Sequence, residues 1–86
     1  MKNKINNFFL KYIFLLYSSK YQKHLIDKCA LLFILSQRLA KMYNDFDDMY
    51  SSHEYEIQSY KHFNRFCLYC KTKNINPSEK LKEYSN

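Results

Sequence analysis

The sequence predicts an all-α protein: a small helical bundle or helical hairpin with coiled-coil-like packing, followed by a short C-terminal helix. Three observations carry this expectation. The 86 residues include no glycine and a single proline, so almost nothing interrupts a helix. Stepping from Leu25 by alternating threes and fours reaches Lys28, Leu32, Leu35, Leu39, Met42, Phe46, Met49, His53, Glu56, Tyr60, Phe63, Cys67 and Cys70. With Tyr and Cys counted as apolar, only Lys28, His53 and Glu56 break that seam, and such a period belongs to helices that pack along their length. Near the end, Asn76-Pro77-Ser78-Glu79 combines an N-cap residue, a proline for the first helical position and an acid three residues after the cap.

The elements follow in order within one domain, residues 1–86. Residues 1–20 read as an apolar and basic first helix, with Lys2, Lys4 and Lys11 among Phe8, Phe9, Leu10, Ile13, Phe14 and Leu15 and no acid. The charged start and apolar run loosely copy a signal peptide, but Lys11 interrupts the run and Tyr17 occupies a position where cleavage wants a small residue. The run is also shorter than the roughly 20 apolar residues a membrane span needs. The expected role is a helix packed on the rest of the chain. The alternative is an amphipathic helix lying on a membrane surface.

Residues 21–73 hold the seam. Ser51 with Glu54 three residues on makes a capping box, which favours a hairpin of helices near 21–44 and 51–73. Because no glycine or proline marks a turn and Phe46 and Met49 keep the phase, the alternative is one helix from about 21 to 72, some 75 Å long at 1.5 Å per residue. Lys71 to Ile75 then forms a linker to a short helix over Pro77–Glu83, within residues 76–84.

Composition excludes several functions. Without glycine there is no P-loop, no dinucleotide-binding fingerprint and no nucleophile elbow. The net charge of +6 has a plain source in A/T-rich coding: valine is absent, alanine occurs only at Ala30 and Ala40, and Arg38 and Arg65 are the only arginines. The distribution says more than the total. Residues 1–44 carry eight bases against Asp27 alone, residues 45–56 carry Asp45, Asp47, Asp48, Glu54 and Glu56 with no base, and the remainder is basic again. An acidic waist between two basic arms suits charge pairing within or between chains as readily as phosphate binding.

Cys67-Leu68-Tyr69-Cys70 is the one metal or redox pattern. It offers two of the four ligands of a structural zinc site, with His62 the nearest further donor and Cys29, His24 and His53 in reserve. Both cysteines also fall on the apolar seam, where a free thiol behaves as a small hydrophobe, so structural thiols are expected and no metal or cofactor is. Three cysteines, an odd number, fit a reducing compartment and a cytoplasmic location. Lys61, Arg65, Lys71 and Lys73 interleave with aromatic residues and could track a phosphate backbone. Catalysis finds no support: His53-Glu54-Tyr55-Glu56-Ile57 lacks the second histidine of H-E-x-x-H, and the three aspartates lack the spacing and glycine of an EF-hand loop.

The function expected first is therefore a non-enzymatic interaction or assembly protein, with a protein partner or a second copy meeting Leu25, Leu32, Leu35, Leu39, Met42, Phe46, Met49, Tyr60 and Phe63. A basic nucleic-acid-binding regulator acting through Lys61, Arg65, Lys71 and Lys73 is the alternative. A membrane-surface protein anchored by residues 1–20 comes third.

Overall fold

The computed structural model describes the backbone of residues 2–84 and the side chains of residues 9–84. Four helices follow one another: α1 (Lys2–Leu16), α2 (Ser19–Asp45), α3 (Met49–Thr72) and α4 (Pro77–Lys82). Helices α2 and α3 form the predicted hairpin, and both α1 and α4 pack on α3. Facing pairs fix the antiparallel register: Phe33 meets Phe63 with ring centroids 4.9 Å apart, Tyr43 stacks on Tyr55 at 5.4 Å, and the Ser52 hydroxyl donates to the Ala40 carbonyl at 2.8 Å.

The hairpin rather than the continuous helix is decided at three residues, Phe46–Asp48. Asp47 adopts φ 59°, the left-handed conformation that ends helices and normally selects glycine. Its N–H then bonds the Asn44 carbonyl at 3.1 Å, and the Asp48 N–H bonds the Tyr43 carbonyl at 2.9 Å, which satisfies carbonyls that the end of α2 would leave unpaired. Asp48 also starts the next helix, its Oδ1 accepting the Ser51 N–H at 3.1 Å. The expected capping box is therefore displaced. Ser51 is the third residue of α3 and not its cap, because the left-handed residue turns the chain so tightly that the helix restarts at Met49.

The same device recurs where α3 ends. Asn74 takes φ 58°, the Asn74 N–H bonds the Lys71 carbonyl at 3.1 Å, and the Ile75 N–H bonds the Cys70 carbonyl at 2.8 Å. This brings Ile75 back onto the core. Asn76 caps α4 as expected, its Oδ1 accepting N–H groups from Ser78 at 3.0 Å and Glu79 at 3.4 Å, with Pro77 in the first turn. Ser18 caps α2 through the Tyr21 N–H at 3.3 Å.

The core is Phe14, Ile26, Cys29, Ala30, Phe66, Tyr69 and Cys70, surrounded by Leu25, Cys67, Leu68, Ile75, Leu81 and Tyr84. It lies at the open end of the hairpin, where all four helices meet. Phe14 joins α1 to this core by stacking on Tyr69, with centroids 4.3 Å apart and planes 8° from parallel. The buried Gln22 amide donates to the Phe14 carbonyl at 3.0 Å and closes the same joint.

The seam read from the sequence coincides with this core only in part: Cys70 is buried in it, and Leu25 and Cys67 pack against it. Leu35, Met42, Phe46, Met49 and Tyr60 are exposed, while Leu25, Leu32, Leu39 and Phe63 are half-buried along its edge. The buried stripe runs one residue later in α2, through Ile26, Cys29 and Ser36, with Ala30 beside it, and one residue earlier in α3, through Ser59, Phe66 and Tyr69. The physical reason is size. Ala30, Ser36 and Ser59 are small, and at those buried positions they interrupt the apolar period that a reader of the sequence looks for.

Candidate interaction surface

A shift of one residue turns a helix by about 100°, so large apolar groups that do not fit between α2 and α3 face outward. On α2, Leu31, Leu35 and Met42 are 55, 53 and 41% exposed, and steps of four and seven put them on one face. His24, Lys28 and Arg38 share that strip and are exposed as well. At the tip of the hairpin Phe46 and Tyr50 are 73 and 78% exposed, with Met49 beside them. On α1, Phe9, Tyr12 and Leu16 form a third outward strip, opposite the buried Phe14.

The charge pattern survives folding. Among the described residues both ion pairs use Lys80, which reaches Asp27 at 3.3 Å and Glu83 at 2.9 Å. The acids of the waist, Asp45, Asp47, Asp48, Glu54 and Glu56, thus gather around the tip with no base among the described residues paired to them. Beside them a shallow cleft of about 430 Å³ is lined by Ala40, Lys41, Asn44, Met49, Ser52, His53 and Glu56.

The opposite end holds a polar cluster that sequence reading missed. The Tyr84 hydroxyl donates to Asp27 Oδ1, to which Lys80 also points, so α4 is fastened to the start of α2. Burial works to raise the Asp27 carboxyl, but the hydrogen bonds from Tyr84 and Lys80 outweigh it and hold the group below its usual value. Burial and the bond to Asp27 push Tyr84 up to about 12. The Glu83 carboxylate, and then Asp27 against the cost of burial, hold Lys80 protonated. Asp27 and Tyr84 are 57 residues apart, and no local pattern links them.

Of the thiols, Cys29 and Cys70 are buried and Cys67 is half-buried. Burial raises all three, Cys70 to about 11, so the unreactive protonated form dominates near neutral pH. His62 does not join Cys67 and Cys70, because five residues turn a helix by about 140° and carry its ring away from Cys67. Among the described residues no three His, Cys, Asp or Glu side chains gather into a metal site. Burial and the neighbouring Arg65 lower the His62 imidazole.

The basic set is divided too. Lys61 and Arg65 lie one turn apart on an exposed face of α3, but Lys71 is about 80° round from Lys61 and about 120° from Arg65, and Lys73 is the C-cap beyond the last turn. All four are exposed. No helix among the described residues is long and apolar enough to cross a membrane. Comparison with protein-family models, with curated proteins and with solved structures finds no match.

Proposed function

We propose that this chain is a small non-enzymatic interaction or assembly protein whose outward apolar strips are covered by another protein surface. The observation that carries the reading is the apolar surface left open. Large apolar side chains lie open in succession: Leu31, Leu35, Met42, Phe46, Met49 and Tyr50 follow one another along α2 and round the tip, each 41% exposed or more. A protein with one core at one end and a two-helix arm at the other gains most by packing the arm against something else. The divided basic set gives a continuous phosphate track less support than these strips give a protein interface.

The test is retrieval of the tagged full chain from its native cells after nuclease treatment, at low and high salt, with the mass of the eluted complex measured. The expected result is a stoichiometric protein complex or oligomer that persists in both. A well-folded monomer that retains no protein refutes the reading, and retention that nuclease abolishes and salt steeply weakens points to nucleic acid instead.

A further inference from the structure

We infer that the occupant of the α2 strip is a second copy of this chain, docked antiparallel so that the acidic tip of each protomer lies against the basic base of the other. The inference rests on the assembly reading above and names its partner. The outward strip of α2 runs through His24, Lys28, Leu31, Leu35, Arg38 and Met42, about half a turn away from the stripe that packs on α3.

Its chemistry is ordered along the axis. Lys28 stands near the start, Leu31, Leu35 and Met42 occupy the middle with Arg38 among them, and Asp45 closes the helix at the acidic tip. With a two-fold axis passing between the levels of Ser36 and Gln37, Leu31 of one protomer faces Met42 of the other. Leu35 then faces the stem of Arg38, and Lys28 faces Asp45. Every contact occurs twice, as an isologous interface requires. A parallel pairing in register would set Lys28 against Lys28 and Asp45 against Asp45, so charge selects the antiparallel arrangement.

The charges are free for this use. Among the described residues Asp45 and Lys28 take part in no ion pair, the two pairs present both belonging to Lys80.

Sedimentation equilibrium of the purified full chain over a wide concentration range tests the proposal. The wild type is expected to dimerise. Leu35→Lys, at an exposed position, is expected to leave a monomer with unchanged far-ultraviolet circular dichroism. Lys28→Glu and Asp45→Lys are each expected to weaken pairing about tenfold, because each swap breaks its contact twice, and the double variant is expected to restore it. A dimer indifferent to Leu35→Lys overturns the assigned face, and a double variant no tighter than the single ones overturns the antiparallel register. A wild type that stays monomeric overturns self-pairing. If that monomer still forms a stoichiometric complex with a different protein in native cells, the assembly reading stands without self-pairing; if it forms none, both fall.

Discussion

Replacing Asp47 tests what makes this chain a hairpin. The residue sits at φ 59°, a conformation that costs an ordinary L-residue about 1–2 kcal/mol and glycine nothing. Aspartate bears part of that cost because its short polar side chain can bond locally. Asp47→Gly should therefore hold or slightly raise stability, its relief being offset by the looser unfolded chain. Asp47→Ala should lose about 1 kcal/mol and Asp47→Val about 2 kcal/mol. For 86 residues at about 2.1 cal/mol/K each, the unfolding entropy is near 0.18 kcal/mol/K, so those losses lower Tm by about 5 and 11 °C. Thermal unfolding followed by circular dichroism measures them. The order is what decides: within a helix alanine is better than glycine by about 1 kcal/mol, so an Asp47→Ala chain as stable as Asp47→Gly would refute the left-handed turn. Adding Asp48→Ala removes the cap of α3 as well, at a further cost of about 1 kcal/mol. The double alanine variant should then favour the opened, continuous helix, visible as a longer particle in small-angle scattering.

Phe14→Ala removes the stacked ring that joins α1 to Tyr69, a loss of about 3–5 kcal/mol at a fully buried site. Hydrogen exchange should show protection lost over Phe9–Leu16 while α2 and α3 keep theirs; simultaneous loss in all the helices would mean that α1 is integral to the hairpin. The clasp of α4 should fail at both ends of the pH scale. Asp27 is held below its ordinary value, so its contribution is complete above about pH 4 and is lost as pH falls through the lowered value. Tyr84, raised to about 12, contributes fully below its unfolded value near 10 and loses that contribution as pH rises from about 10 to 12. Tyr84→Phe should abolish the alkaline loss of α4 protection and soften the acid one, Lys80 still holding Asp27; an unaltered alkaline profile would show that Tyr84 does not fasten α4.

Much of the architecture was legible because its signals are local. The cap of α4 at Asn76 and Pro77 needs only four neighbouring residues, and the helical period of residues 21–73 needs only one strand of text. The hairpin was legible only as a preference, and its cap was placed at Ser51 and not at Asp48. The conformation of Asp47 is a matter of backbone geometry, for which Asp is an uncommon choice. The seam mixed two sets of residues for a related reason: periodicity finds large apolar residues whether they are buried, as Cys70 is, or exposed, and it passes over small buried ones such as Ala30, Ser36 and Ser59. As a result part of that seam, Leu35, Met42, Phe46, Met49 and Tyr60, is exposed.

The sequence by itself determined the helical class, the short last helix and the placement of acids between two basic arms. These follow from residue chemistry and spacing, which folding does not alter. Only the tertiary structure decided that the chain turns at Asp47, that Ala30, Ser36 and Ser59 are buried while Leu35 and Met42 are not, that His62 diverges from Cys67, and that Asp27 meets Tyr84 and Lys80. Each depends on how far apart two backbones come to rest or which way one helix is rotated, and a rotation of one residue exchanges what is buried for what is offered to a partner.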